Sequence, residues 1–298
     1  MTVGVMSITP FTAAGEVDAG ALATHLERLG RHDVAVYLCS QGSGEGLALS
    51  TDEKALVYRT AVAVLGGRRE TVGAGVGLAG DTASVVGQVR VLGATGVDAV
   101  QVLPPRTGAL RPTDDEVARY YEEVVQASSC PIVVAENVAL AGYEMGPALL
   151  RRVVDRTGTT MVNHTVPGAG VASLAEVFGA LPPEVSVHVG LVHHLVNVAA
   201  LGGAGILCFD GNLVPGLVAR AWKAATSASA DLLPRLRTLF EVNAALTRYR
   251  NPGSIKAALA HFGLPAGTLR RPLLGLDPAD RAALAASLDA IDGLDAWF

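Results

Sequence analysis

Lysine is nearly missing from this chain: Lys54, Lys223 and Lys256 are the only three in 298 residues. With 23 basic against 28 acidic side chains the formal net charge is -5, and no stretch is dense in Lys or Arg. A nucleic-acid partner is therefore not expected. Cysteine is as scarce. Cys39, Cys130 and Cys208 are odd in number and widely spaced, which excludes a disulfide frame and a zinc site and fits reduced thiols in a cytoplasmic protein. No uninterrupted apolar run approaches the ~18 residues of a membrane span. The opening MTVGVMSITPF has neither a basic nor a long apolar region of the kind a signal peptide needs. The expectation is a cytoplasmic protein without a membrane partner.

What is abundant is apolar and small. Half the residues are hydrophobic and only 17% are charged, enough to fill one large core. Short β-branched runs recur at 3–8, 34–39, 71–76, 99–103, 132–135, 160–164, 185–189 and 205–209. Helix-length amphipathic segments separate them, among them 18–29, 52–65 and 113–127. Ser50 with Glu53, and Thr113 with Glu116, have the S/T-x-x-E spacing of a capping box. Strand and helix in strict alternation imply parallel pairing, since each crossover needs a helix to return the chain. Eight such units predict a closed (βα)8 TIM barrel over residues 1–225. Residues 226–298 carry helix patterns only, at 232–248, 253–261 and 278–291. They are expected to form a three-helix C-terminal extension packed on the barrel as part of the same structural unit.

Several segments, in order and at matching spacing, resemble one family. They are Thr9-Pro10-Phe11 with Gly15 and Asp18; Gly44-Glu45 with Leu49-Ser50 and Glu53-Lys54; and the run from Gly73 to Gly77. Gly202 to Ile206 with Asn212 and Pro215, then Asn251-Pro252-Gly253, Lys256-Ala257-Ala258-Leu259 and Arg271-Pro272-Leu273, complete the series. The chain resembles the dihydrodipicolinate synthase / N-acetylneuraminate lyase family, the pyruvate-type class I aldolases. That resemblance implies a homo-oligomer (dimer or tetramer), a small-molecule substrate and a lysine Schiff base at the end of strand six.

The active-site positions depart from the family. Its strand-six lysine aligns with Asn163, its strand-five tyrosine with Ala135, and the arginine beyond that with Leu140. The tyrosine pair after strand four gives way to Arg106-Thr107, and a hydroxyl pair in the carboxylate-binding loop becomes Gly42-Ser43. A carboxamide nitrogen is not a nucleophile toward ketones, whereas a Schiff base needs an amine of lowered pKa. None of the three lysines follows a predicted strand.

Chemistry in such barrels sits at the C-terminal strand ends. Asn163, His164 and Glu136 are the expected catalytic residues, and Ser43, Arg106, Asn137 and Thr165 the expected substrate contacts. Several of these groups have a second reading. Glu136 fits either proton transfer or an outward salt bridge, and His164, one residue out of phase with Asn163, fits a structural role facing away from the axis. Arg106 can grip a carboxylate bidentately. His193-His194 fits either a mouth loop or an exposed turn, Glu45 reads as structural, and Asp210 and Asn212 read as caps of the following helix. Glu136, His164, His188, His193 and Asp210 lack metal-ligand spacing. The glycines from 73 to 77 lack a phosphate-binding pattern. Neither metal nor cofactor is expected. Two functions remain: a lyase-type enzyme using acid–base and hydrogen-bond catalysis without an imine, and a non-catalytic descendant that binds a ligand or serves in an assembly.

Overall fold

In the computed structural model, which describes residues 3–78, 81–108 and 110–298, eight parallel strands close in sequence order into a barrel. They are β1 (Val3–Met6), β2 (Val34–Leu38), β3 (Thr71–Val76), β4 (Ala99–Val102), β5 (Ile132–Asn137), β6 (Met161–Thr165), β7 (Ser186–Gly190) and β8 (Gly205–Cys208). Met1 and Thr2, the start of the expected barrel segment, lie outside the described residues. Around the strands run α1 (Ala19–Gly30), α2 (Thr51–Leu65), α3 (Thr82–Gly93), α4 (Asp114–Ala127), α5 (Val138–Ala141), α6 (Gly146–Thr157), α7 (Val171–Ala180), α8 (Leu195–Ala200) and α9 (Pro215–Thr226). The tail adds α10 (Leu232–Thr247), α11 (Gly253–His261) and α12 (Pro278–Asp289).

Helix starts are where their caps put them. Ser50 and Thr113 each close a reciprocal capping box, with Glu53 and Glu116, at the heads of α2 and α4, satisfying amide donors that a bare helix end would leave orphaned. Strand alternation divides the apolar residues into two sets. Ala35, Tyr37, Val72, Ala74, Val133 and Leu207 fill the barrel interior, while a larger cluster lies between strands and helices. The glycine run in β3 serves packing. A Cβ on Gly73 would lie 2.2 Å from the Tyr58 ring, and Gly75, at φ +104°, passes so close to the Cys39 carbonyl that a side chain would overlap it.

Asn212 closes the barrel seam. Its Oδ1 accepts from the Ile8 amide (3.0 Å) and pairs with His25 Nε2 (3.1 Å), while its Nδ2 donates to the Met6 and Phe209 carbonyls (both 2.8 Å). The expected capping role of Asn212 is thereby corrected: α9 begins at Pro215 with no side-chain cap, and Asn212 instead ties β1 to the turn after β8. Its partner His25 is fully buried. Burial, then Arg28, lower the His25 pKa to about 3, and the Asn212 bond offsets this only in part. The fold holds a neutral imidazole that the unfolded chain protonates below about 6.5. The unfolded state binds the extra proton, so stability is lost as pH falls from about 6.5 towards 3. The slope inside that window is about 1.4 kcal/mol per pH unit for one site. His25→Gln keeps a donor for Asn212 and is expected to flatten it. In urea unfolding between pH 6.5 and 4.5 the wild type should lose roughly 2–3 kcal/mol more than the variant. Equal losses would place the proton uptake elsewhere.

The tail leans on the barrel mouth. Lys256 of α11, 4% exposed, donates its ammonium to Glu45 Oε1 (2.5 Å), the Thr9 carbonyl (2.7 Å) and the Thr268 carbonyl (2.7 Å). Glu45 Oε2 accepts from the Arg270 amide at 2.9 Å. Burial depresses the Lys256 ammonium while Glu45 holds it up. Lys54 of α2, also buried, donates to the Gly75 carbonyl at 2.7 Å, and Lys223 is exposed on α9.

Candidate active site

A cavity of about 260 Å³ opens at the C-terminal ends of the strands, and its wall includes residues of both barrel and tail. Asn163 is third in β6 and level with Ala135 of β5 and His188 of β7. It is 2% exposed and faces the cavity, as does Ala135. Asn163 Nδ2 donates to Oε1 of Gln101, third in β4, at 2.5 Å. One hydrogen of that amide is thus engaged. Asn163 Oδ1 is buried with no protein partner. Tyr37 of β2 lies against the same amide. Its phenol is pushed up by burial and by Glu70, with Asn163 working the other way.

Of the expected substrate contacts, Ser43, Asn137 and Thr165 line the cavity. Ser43 Oγ accepts from Asn251 Nδ2 at 3.0 Å, which leaves its own hydrogen free to donate. Asn137 Oδ1 caps α5 through the Leu140 amide at 3.2 Å. Arg106 is a correction. It is exposed, its Nη1 reaches only the Leu140 carbonyl at 3.4 Å, and it is not part of the cavity wall.

The Glu136–His164 pair is a second correction. β5 runs two residues further than expected, so Glu136 is a strand residue with its side chain turned to the helices. Its Oε1 accepts from the amides of Met145 (2.6 Å) and Gly146 (3.3 Å), and its Oε2 lies 2.6 Å from His164 Nδ1. Both side chains are fully buried. Glu136 borders the cavity and His164 does not. A general base has to lie within hydrogen-bond reach of the proton it takes, so this placement fits a bridge between β5, β6 and the α6 entry. His194 sits behind it, buried with neither ring nitrogen bonded; burial, then His193 and His164, lower its pKa. His193 is exposed and reaches the cavity wall. Among the described residues no three His, Cys, Asp or Glu side chains converge as a metal would require.

The sequence reading passed over three groups. Gln101 was hidden in an apolar strand pattern, where only its polarity on an inward position marked it. Asn243, on α10, belongs to a helix read as packing. Asp210, read as a cap, caps nothing: it is 1% exposed, lines the cavity, and its Oδ1 accepts from Asn243 Nδ2 at 2.8 Å. Burial pushes its carboxyl up to about 6, against the pull of Asn243 and of its own backbone. No Lys or Arg is among the lining residues.

Comparison with known proteins places these features in context. Residues 2–291 match the model of the dihydrodipicolinate synthetase family. A protein of Halobacterium salinarum called an uncharacterized DapA-like lyase is 31% identical over 286 residues, covering 94% of this chain and 90% of the relative. The 4-hydroxy-tetrahydrodipicolinate synthase of Moorella thermoacetica is 26% identical, covering 94% of each. Among solved structures, the 4-hydroxy-tetrahydrodipicolinate synthase of Methylacidiphilum fumariolicum superposes with a TM-score of 0.89 at 23% identity, covering 99% of this chain and 97% of that one. A prophage protein of Escherichia coli solved with pyruvate superposes at 0.88 and 22% identity, covering 97% and 98%.

Proposed function

Because the chain belongs to the dihydrodipicolinate synthetase family, we propose that it is a lyase-type enzyme that acts on a small carbonyl or carboxylate compound without a lysine Schiff base. The observation that carries this reading is the Asn163–Gln101 pair. At the position that the resemblance assigns to the nucleophilic lysine stands an amide, locked at 2.5 Å to a second amide. Its second N–H, which Tyr37 also approaches, is the donor for a substrate oxygen. Such a donor, fixed in place before the reaction, stabilises charge that develops on a carbonyl oxygen as a bond beside it breaks. Ser43, with its hydroxyl hydrogen free, and Thr165 orient the rest of the molecule. The three lysines are engaged or remote: two hold backbone carbonyls at 2.7 Å, and the third is on the outer surface of α9.

Borohydride with pyruvate is accordingly expected to trap no adduct, and intact-mass spectrometry of the reduced mixture checks it. A stable addition on Lys54, Lys223 or Lys256 would refute the imine-free reading. Tight binding of small carbonyl compounds without any turnover would move the protein to the non-catalytic alternative. We further place it in the cytoplasm, on its three free cysteines, and expect a homo-oligomer (dimer or tetramer), since large apolar side chains such as Leu47, Leu233 and Leu274 are exposed.

A further inference from the structure

We propose that Asp210 is a catalytic residue of this cavity, moving the proton on the carbon beside the carbonyl of a small uncharged hydroxycarbonyl compound. The proposal rests on the imine-free reading of the site and adds to it the base and the substrate class. One carboxyl oxygen is held by Asn243 at 2.8 Å, and the other, Oδ2, is buried with no protein partner. A buried acceptor left unmade is costly, so Oδ2 is the atom of this lining residue left to take a proton. The group comes from the turn after β8 and its one clamp from α10, which fixes its direction from two elements. Its pKa of about 6 lets it accept and return a proton near neutrality. The titratable groups on the same wall are Cys208, whose thiol burial and Asp210 itself push up, His193 and Glu136.

The rest of the wall selects the substrate. Asn163, Gln101, Asn251, Ser43 and Thr165 are neutral donors and acceptors, and no cation accompanies them. A substrate carboxylate would share this small space with Asp210 without a counter-charge, which desolvation and like-charge repulsion both oppose. Hydroxyl and carbonyl groups meet no such penalty. In the step itself, Oδ2 takes the proton, the C–H electron pair becomes the new C=C bond, and the carbonyl π pair moves onto oxygen. The second N–H of Asn163 donates to that oxygen. The Asp210 proton then exchanges with solvent, and return of a proton from the carboxyl to carbon restores the ketone, so that in heavy water the net change is hydrogen for deuterium.

The test is exchange at that carbon in deuterium oxide, followed by proton NMR with the full chain and with hydroxyacetone and pyruvate as probes. The wild type is expected to exchange hydroxyacetone at least tenfold faster than pyruvate, with a pH profile inflecting near 6. Asp210→Asn, which keeps the shape and removes a buried charge, should lose about 10²-fold or more and the inflection with it. Asp210→Glu should recover part of the rate and keep an inflection. Exchange that survives in a folded Asp210→Asn protein, an inflection that stays, or faster exchange of pyruvate would each overturn the proposal. If Asn163→Ala still abolished exchange in that case, the imine-free reading would stand on its own. A wild type that exchanges neither probe overturns the proposal as well, whereas a lysine adduct with borohydride would bring down the reading beneath it.

Discussion

Asn163→Ala is expected to lower turnover ~10²–10³-fold, the loss that follows removal of one preorganised donor to a developing oxyanion. The change deletes the second N–H at the barrel axis and also leaves Gln101 Oε1 without its 2.5 Å partner. For that reason Asn163→Asp is the informative companion. It preserves volume but presents an acceptor where a donor is needed, and it should be at least as damaging. The rate of carbon-bound hydrogen exchange is the readout, with a thermal melt to show that both variants are folded. An undiminished rate in Asn163→Ala would move the chemistry to another part of the wall. The reverse experiment, Asn163→Lys, is expected to yield no aldolase. Ala135 stands where the strand-five tyrosine would move the protons of imine chemistry, and a new ammonium buried against Gln101 would also cost the barrel stability. A tyrosine at position 106 would not help, because that side chain is exposed and outside the cavity wall.

Lys256→Met should cost roughly 3–5 kcal/mol of stability, the penalty for stripping one partner from a buried ion pair. Glu45 has no second ammonium or guanidinium bonded to its carboxylate; what remains is the Arg270 backbone amide at 2.9 Å. The carbonyls of Thr9 and Thr268 lose a donor at the same time. Adding Glu45→Gln to Lys256→Met removes the stranded charge and is expected to recover most of the loss. Unfolding midpoints of the two single variants and the double variant form the cycle that measures it. A single variant as stable as the wild type would mean that the pair contributes little beyond packing.

The barrel could be read from the chain because each unit announces itself locally. Alternating β-branched runs, two capping boxes and helix-length spacers agree with one another, and eight of them leave a closed parallel sheet as the answer. The disagreements are at the strand ends. β5 extends to Asn137 rather than stopping at Ala135, and β6 begins and ends one residue later than expected. Those shifts leave the inward parity of Ala135 and Asn163 intact, since parity is set by alternation and not by where pairing stops. They also settle Glu136 and His164, whose parity is outward. What the sequence could not show was side-chain direction at the rim and contact across the chain. Arg106 was plausible by chemistry and wrong by placement, since a loop residue obeys no period. Asp210 and Asn243 are 33 residues apart, and only the docking of α10 makes a buried carboxyl and an amide meet.

That docking means the candidate site is not a property of the barrel repeats alone. Asn243 and Asn251 bring two carboxamides from outside the eightfold repeat into the wall of the cavity, held there through Lys256 and Glu45. On the proposed reading the tail therefore bears on the chemistry, through the Asn243 clamp on Asp210, as well as on the shape of what is admitted. Exchanging the last 70 or so residues between relatives would accordingly rebuild part of the cavity wall without touching a single strand, provided that the partners of Asp210 and Glu45 are kept.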